Sequence, residues 1–263
     1  MKNDIYTAED YINHIVEWLR RYFVDNGNEN TKAVIGISGG KDSTVAAALL
    51  VKAIGAERVV GVAMPCGVQY DFDDSIRVMD SIGIPVENRY IINIREQVDA
   101  FYTQYKSVFG ENPPSYITTN VPARVRMTNL YMLAAKLGGR VVNTSNASEI
   151  YVGYSTKFGD LAGDLAPLKR FYVRDIVAMG KALGLPTDLV EKKPADGMTF
   201  LTDEENLGFT YATLDSFLID DVQPDYITLR RINNRHNQAH HKMDIIYAIP
   251  GPMRHSKSSY EEF

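Results

Sequence analysis

The sequence predicts a doubly wound α/β fold, in which a mainly parallel sheet carries helices on both faces. Short apolar runs alternate with helical patterns, a glycine-rich turn joins the first run to a helix, and 45% of the 263 residues are apolar. Such alternation is typical of strand, helix and strand units with parallel strands. Binding sites in this architecture lie at the carboxyl ends of the strands.

The elements follow one another in a regular order. The first helix begins at Thr7, where Asp10 completes a capping-box pattern, and apolar residues recur at helical spacing as far as Phe23. The next predicted elements are strands at 32–38, 58–64, 86–94 and 140–144, and helices at 43–54, 71–83 and 121–137. The strands are short and mostly apolar, as in a parallel sheet that is buried on both faces.

Two stretches are predicted to be loops. The first, 110–120, contains two prolines, and the second, 192–208, is long enough to act as a lid. The tail beyond residue 249 is expected to be extended or poorly ordered. We therefore expect a single domain over 1–263, with an N-terminal helix, a nucleotide-binding α/β core, the lid and a C-terminal extension.

Charge and cysteine content narrow the function. The chain has 28 Lys and Arg against 33 Asp and Glu, which gives a net charge of -5. It therefore lacks the excess of basic residues with which nucleic-acid-binding proteins usually hold phosphates. No apolar run approaches the roughly 18 residues that cross a bilayer. The single cysteine, Cys66, excludes an intrachain disulfide framework and a multi-cysteine metal site. We expect a soluble, cytoplasmic protein that acts on small molecules, without a nucleic-acid or membrane partner.

The turn after the first strand has the features of a phosphate-binding loop. Its sequence is Ser38-Gly39-Gly40-Lys41-Asp42-Ser43. The glycines let the backbone approach an anion, and the helix N-terminus that follows favours negative charge. The carboxylate of Asp42 would repel phosphate unless a cation lay between them, so the loop predicts magnesium as well. It matches neither a Walker A loop nor the G-x-G-x-x-G fingerprint.

This loop resembles the pyrophosphate loop of the N-type ATP pyrophosphatases, which have an adenine nucleotide alpha hydrolase-like fold. These enzymes adenylate a carboxylate or carbonyl oxygen and expel pyrophosphate. The loop alone leaves several alternatives open: an amidating enzyme, a tRNA-modifying enzyme, or a nucleotide-binding module without catalysis. The acidic composition and the single cysteine disfavour the tRNA-modifying alternative.

Three further stretches distinguish between these alternatives. They are ARVRM at 123–127, NTSNASE at 143–149 and GYSTKFGDLAGDLAPL at 153–168. In order and spacing they resemble the ammonia-dependent NAD synthetases, and the similarity extends over nearly the whole chain. Thr144 and Glu149 follow the fourth predicted strand, so they belong at the same sheet edge as the phosphate loop. Glu149 and Asp42 could therefore supply two oxygen ligands to one magnesium ion.

The resemblance implies an activity and a set of site residues. ATP would adenylate the nicotinate carboxylate of nicotinic acid adenine dinucleotide, and ammonia would then displace AMP to give NAD. The implied ATP-binding residues are Gly36, Ser38, Gly39, Gly40, Lys41, Asp42, Ser43 and Thr144, and the implied metal ligands are Asp42 and Glu149. The implied dinucleotide contacts are Arg124, Lys157, Asp164, His241 and Lys242, with Lys157 and Asp160 as catalytic residues. In this assignment Asp160 receives ammonium and helps to take its proton, which suits a carboxylate.

The chain also departs from the family pattern. Many members have an ATP-contacting lysine near Val173, so Arg174, Lys192 or Lys193 is expected to supply that charge. Many also have a hydroxyl residue where this chain has Ala195. The length leaves no room for a glutamine-hydrolysing domain, so free ammonia is the expected nitrogen donor. The resemblance further implies a homodimer.

Overall fold

The described part of the chain forms a sheet of four strands, all paired in parallel in the order β3-β2-β1-β4. The structure is a computed structural model and describes residues 7–69, 72–192 and 202–243. The strands are β1 (Lys32–Gly36), β2 (Val59–Ala63), β3 (Arg89–Ile91) and β4 (Gly139–Val142). Because β1 lies between β2 and β4, the turns that follow these strands meet at one edge of the sheet.

Helices cover both faces of this sheet, as the sequence predicts. They are α1 (Ala8–Asp25), α2 (Lys41–Ile54), α3 (Phe72–Ser81), α4 (Arg95–Phe109), α5 (Ser115–Leu137), α6 (Ala147–Val152), α7 (Val173–Ala182), α8 (Thr187–Val190), α9 (Asp203–Leu207), α10 (Tyr211–Ile219) and α11 (Tyr226–Met243). The apolar core on one face includes α1, α2 and α7, and the core on the other includes α4 and α5. A third apolar cluster joins α6, α9, α10 and α11 beside the sheet.

The N-terminal helix confirms its predicted cap. The Thr7 hydroxyl oxygen accepts a hydrogen bond from the Asp10 amide at 3.2 Å, and the Asp10 carboxylate accepts one from the Thr7 amide at 2.9 Å. The residues predicted at helical spacing face the core: Ile12, Ile15, Val16, Leu19 and Phe23. Local capping chemistry and apolar periodicity therefore agree on this element.

Two elements differ from their predicted bounds in ways that affect the site. The helix expected at 43–54 begins at Lys41 with Gly40 as its N-cap, so Asp42 lies in its first turn. The strand expected at 86–94 is limited to Arg89–Ile91, because the chain forms a 3₁₀ turn directly after Pro85. Pro85 is the N-cap of this turn and its carbonyl accepts from the Asn88 amide at 2.9 Å, so residues 86–88 belong to the turn and the strand starts after it.

The expected loop at 110–120 is largely helical. Helix α5 begins at Ser115, and α4 before it was not predicted from the sequence. Pro122 lies inside α5 and has no N–H group, which leaves the Thr118 carbonyl without its usual helical donor. The Tyr102 hydroxyl of α4 donates to that carbonyl at 3.0 Å instead. The two helices therefore compensate for a proline that would otherwise weaken α5.

The predicted lid and tail can be followed in part. The lid at 192–208 contains α9, so its second half is helical, while residues 193–201 lie outside the described residues, as does the tail beyond residue 243. Among the helices that are described, no segment combines the length and apolar character needed to cross a membrane.

Candidate active site

A cavity of about 690 Å³ opens at the carboxyl ends of β1, β2 and β4. Its position is the one expected for a binding site in an open α/β sheet. The predicted site residues on its wall are Gly36, Ser38, Gly40, Lys41, Asp42, Ser43, Thr144, Glu149, Asp160 and Lys242. The fold therefore brings the phosphate loop together with residues more than 100 positions away in the sequence.

The phosphate loop is organised by its own hydroxyl groups. The Ser38 and Ser43 hydroxyls lie 3.1 Å apart, and Ser43 Oγ accepts a hydrogen bond from the Ser38 amide at 3.2 Å. Gly40, the N-cap of α2, has no side chain to bond the first amides of the helix. A helix start of this kind presents N–H groups and a positive dipole end to an anion.

Gly39 is required by the shape of this loop. Its φ angle is +79°, and a Cβ atom at this position would lie 2.7 Å from the Cβ atom of Asp74. Both the left-handed conformation and the close approach to α3 exclude a larger side chain. The loop is therefore fixed against α3.

The two predicted metal ligands are linked by a buried asparagine. Asn146 Nδ2 donates to Asp42 Oδ1 at 3.1 Å, which connects α2 to the start of α6. The Asn146 amide donates to Glu149 Oε2 at 3.1 Å, and Asn146 Oδ1 accepts from the Glu149 amide at 2.9 Å. The capping box of α6 thus holds Glu149 next to the phosphate loop.

The electrostatics of this wall are dominated by carboxylates. Burial, and then the Asp42 carboxylate, raise the pKa of Glu149 well above its usual value. Burial opposes the charge of Lys41, but attraction to Asp42 and other carboxylates prevails and its pKa is raised. Two carboxylates that share a low-dielectric wall make a favourable place for a cation.

Lys41 is almost completely buried. Its ammonium group donates to Asp42 Oδ2 at 2.9 Å and lies 5.7 Å from the centre of the Tyr211 ring. Tyr211 is buried as well, and its hydroxyl has no hydrogen-bond partner among the residues that the structure describes. Nothing in the sequence around Tyr211 indicates this role, because α10 reaches the loop only through tertiary packing.

The loop at 153–164 carries Asp160 on the cavity wall. Asp160 Oδ1 accepts from the Thr156 amide at 2.6 Å, and the Asp160 carbonyl accepts from Asn143 Nδ2 at 2.6 Å. Protein packed around this carboxyl group raises its pKa, although the residue keeps surface exposed toward the cavity. The bond from Asn143 fixes the loop to the end of β4, and the raised pKa of Asp160 suits a group that exchanges protons.

Helix α11 holds the other side of this loop. Lys242 Nζ donates to the carbonyls of Gly153 and Ser155 at 2.8 and 2.7 Å, and Lys157 Nζ donates to the His241 carbonyl at 2.5 Å. A Cβ atom on Gly153 would lie 2.5 Å from the Cβ atom of Ala239, so glycine permits the close packing of α11.

Four predicted substrate residues lie away from the cavity wall: Arg124, Lys157, Asp164 and His241. Arg124 Nε donates to the Lys157 carbonyl at 3.3 Å. Asp164 lines a smaller cavity of about 210 Å³, and its carboxylate accepts from the Val141 amide at 2.7 Å and from the Tyr131 hydroxyl at 3.3 Å. That carboxylate contributes to raising the pKa of Tyr131 to about 12, after burial of the phenol.

Two more basic side chains lie on the cavity wall: Arg126, to which the sequence assigned no role, and Lys192, which it offered as a replacement for the family's ATP-contacting lysine. Arg126 lines the wall, and its Nε donates to the Met64 carbonyl at the end of β2, at 3.0 Å. Lys192 also lines the cavity and donates to Asp74 Oδ2 at 2.8 Å, whereas Arg174 pairs with Asp220 at 2.7 Å and is not on the wall. Lys193 and Ala195 lie outside the described residues.

Comparisons with known proteins agree on one family. The family model described as NAD synthase matches residues 11–247. An NH(3)-dependent NAD(+) synthetase from Thermococcus kodakarensis is 42% identical over 70% of each chain, and one from Thermoplasma acidophilum is 34% identical over 90% of this chain and 96% of its own. The solved NMN synthetase from Francisella tularensis superposes with a TM-score of 0.83 and 33% identity, covering 94% of this chain and 100% of its own.

Proposed function

The chain belongs to the NAD synthase family and carries out ammonia-dependent synthesis of NAD with ATP as cosubstrate, and from that premise we propose which residues perform each step. The proposed substrate is nicotinic acid adenine dinucleotide. Its carboxylate oxygen attacks the α-phosphorus of ATP, which gives an acyl-adenylate and pyrophosphate. Ammonia then attacks the acyl carbon, AMP leaves with the C–O electron pair, and the new amide loses a proton.

The observation that carries this assignment is the hydrogen bond between Asn146 and Asp42. It joins the turn after β1 to the turn after β4, so that the phosphate loop and Glu149 share one wall. We name the Ser38–Ser43 loop with Glu149 the pyrophosphate end of the site, and the loop at 153–160 with Lys242 the amidation end.

The pyrophosphate end is proposed to hold the leaving group. The start of α2 offers backbone N–H groups, and the hydroxyls of Ser38 and Ser43 offer further donors. Lys41 supports this end indirectly, because its charge is held against Asp42. Thr144 at the end of β4 is proposed to contact ATP from the opposite side.

Magnesium is proposed to bind to Asp42 and Glu149. The donor set fits this ion, because both ligands are hard carboxylate oxygens and Mg²⁺ takes its remaining ligands from phosphate and water. When bound, Mg²⁺ would neutralise charge on the phosphates. Asn146 and Lys41 hold Asp42, while the α6 capping box holds Glu149, so the protein fixes the two carboxylates in advance.

The amidation end is proposed to deliver the nitrogen nucleophile. Asp160 attracts ammonium to the cavity wall and accepts a proton as the amide forms. Lys242 lies close enough to Asp160 for mutual electrostatic attraction and is proposed to contact the dinucleotide. We assign Arg124, Lys157, Asp164 and His241 to the part of the dinucleotide that extends beyond the cavity. Holding both reactants in place would supply much of the rate enhancement.

A homodimer is also proposed, and helix α4 supplies support for it. Phe101, Val108 and Phe109 are each more than half exposed, and Tyr105 contacts Phe109 on the same stripe. Apolar stripes of this kind are typical of an interface between subunits. Phe101→Lys with Phe109→Lys should give a monomer in analytical ultracentrifugation, while Val24→Lys, at an exposed apolar position on α1, should leave the dimer intact. A monomeric wild-type protein would contradict the proposal.

A second candidate substrate is nicotinic acid mononucleotide. The Francisella tularensis structure with which this chain superposes is named an NMN synthetase. Moreover, Lys242 lines the cavity, but the other residues assigned to the dinucleotide do not. A site without those contacts would accept the smaller nucleotide.

One assay tests both substrates. Purified protein is given ATP, magnesium and ammonium with either the dinucleotide or the mononucleotide, and kcat/KM is measured for each. The dinucleotide should be preferred at least tenfold, with AMP and pyrophosphate as products, and glutamine should not replace ammonium. A preference for the mononucleotide would favour the second candidate, and formation of ADP and phosphate would refute the adenylation step.

The organisation of 1–263 as one domain with a lid, and the cytoplasmic location, stay predictions.

A further inference from the structure

We propose that Asn146 is a positioning residue that fixes the spacing of Asp42 and Glu149 before a cation binds. This inference rests on the proposed metal site and assigns a role to a residue between its two ligands. Asn146 is completely buried and contacts both carboxylates directly. It would act through those carboxylates and without touching the substrate.

Each part of Asn146 has a separate task. Its side-chain nitrogen donates to Asp42, its side-chain oxygen caps α6 by accepting from the Glu149 amide, and its own backbone amide donates to Glu149 Oε2. A carboxylate oxygen has two acceptor sites, so an oxygen that accepts one hydrogen bond can still bind a cation. Asn146 therefore orients both ligands without excluding the ion.

The surroundings keep Asn146 in this position. The amide of the next residue, Ala147, donates to the Phe171 carbonyl at 2.9 Å. One residue further on, the Ser148 hydroxyl donates to the buried carboxylate of Asp215 at 2.6 Å, and Asp215 also accepts from the Arg174 amide at 2.9 Å. The first turn of α6 is thus attached to α7 and α10, so the asparagine cannot follow a displaced carboxylate.

The asparagine also opposes the repulsion between its two neighbours. Asp42 and Glu149 lie near enough for each charge to disfavour the other. The side-chain amide of Asn146 donates to Asp42 and its backbone amide donates to Glu149, so both carboxylates stay on the same wall before a cation binds. Residues that orient metal ligands typically change metal affinity by roughly 10–100-fold when they are replaced.

The test is binding of Mn²⁺, a probe with the same preference for oxygen ligands, to the protein without nucleotide, because a triphosphate would itself bind the ion. Binding is measured by the electron paramagnetic resonance signal of free Mn²⁺ for the wild type and Asn146→Ser. Serine caps a helix about as well as asparagine but is too short to reach Asp42. We expect roughly tenfold weaker Mn²⁺ binding, with a melting temperature close to that of the wild type.

Two control variants separate the possible outcomes. Thr7→Ala removes the N-cap of α1 without touching either carboxylate, and it should leave Mn²⁺ binding unchanged. Glu149→Gln should abolish binding if the metal site is as proposed. Unchanged or tighter binding by Asn146→Ser, while Glu149→Gln fails to bind, would overturn the role of Asn146 and leave the metal site standing. Normal binding by Glu149→Gln would overturn the metal site itself. Equal losses of Mn²⁺ binding in Asn146→Ser and Thr7→Ala would show that Asn146 acts only through general stability.

Discussion

The two ends of the site hold their charged groups in opposite ways. At the pyrophosphate end, the acidic side chains of Asp42 and Glu149 accept hydrogen bonds from Asn146, and Lys41 adds a buried positive charge. At the amidation end, the basic side chains of Lys157 and Lys242 donate to backbone carbonyls of α11 and of the loop at 153–160. The pyrophosphate end therefore presents two carboxylates held by donors, and the amidation end combines one carboxylate, Asp160, with two ammonium groups held by acceptors.

This difference indicates how each end responds to a ligand. The pyrophosphate end is fixed by buried side chains and is suited to receive a cation, whose positive charge would balance the two carboxylates. At the amidation end, Lys157 and Lys242 are held by carbonyl groups. A carbonyl competes weakly with a phosphate or carboxylate for an ammonium group. We therefore expect substitutions of Asp42 or Glu149 to abolish catalysis. Substitutions of the lysines at the amidation end should affect binding and stability as well.

The largest effect is expected from Asp42→Asn. It removes one carboxylate of the proposed metal pair, and loss of a catalytic metal ion removes several kcal/mol of transition-state stabilisation. The value of kcat/KM should fall roughly 1,000-fold or more. Asp188→Asn, at an exposed ion pair with Arg77, is the control and should stay within about twofold. Activity of Asp42→Asn within tenfold of the wild type would contradict the assignment.

Asp160→Asn should separate the two chemical steps. Without a carboxylate to accept the proton, amidation should slow roughly 100-fold or more. Exchange of labelled pyrophosphate into ATP, which requires only adenylation, should continue at the wild-type rate. Unchanged turnover at limiting ammonium would exclude Asp160 from the reaction.

Lys242→Met should weaken the attachment of α11. The variant loses two charge-assisted hydrogen bonds to carbonyl groups, so the free energy of unfolding should fall by about 1–3 kcal/mol in urea titrations. The KM for the dinucleotide should rise as well. Lys181→Met, at an exposed ion pair with Glu191, should change stability by less than about 0.5 kcal/mol. Equal stability of the two variants would show that the carbonyl contacts contribute little.

The smallest effect concerns the stability of the metal-free protein. The folded chain binds the Glu149 proton more tightly than the unfolded chain does, because burial and Asp42 raise the pKa of Glu149. The contribution of Glu149 to stability is therefore greatest below its unfolded pKa of ~4.3 and is lost as the pH rises through the folded value. In EDTA at pH 8, Glu149→Gln should melt roughly 2 °C or more above the wild type, with a smaller difference at pH 5. A lower melting temperature at pH 8 would contradict the repulsion described here.

The pyrophosphate end could be predicted from sequence because its determinants are local. Residues 38–43 are contiguous, and Glu149 follows a recognisable strand. Glycine conformation and helix-terminus chemistry act within a few residues, so the sequence indicates them directly. The order of strands then places both turns at one edge of the sheet, as the parallel pairing confirms.

The amidation end depends on contacts that sequence patterns do not reveal. Lys157 meets the His241 carbonyl across 84 positions, and Lys242 meets the Gly153 carbonyl across 89. Tyr211 reaches Lys41 only through packing of α10. The start of α5 at Ser115 was missed because Pro113 and Pro114 indicated a loop, whereas Pro114 is the N-cap of the helix. The Tyr102 hydroxyl compensates for Pro122 farther along α5.

The sparse burial of α11 also has a consequence for folding. Its buried residues are Ile232 and Ala239, whereas β2 is buried along its whole length and β1 and β4 along most of theirs. A segment that buries little apolar surface has low local stability, so the sheet and the phosphate loop should assemble before α11 docks. A refolding chain would pass through a stage that already recognises nucleotide but cannot yet make an amide, so recovery of product formation should lag behind recovery of nucleotide binding.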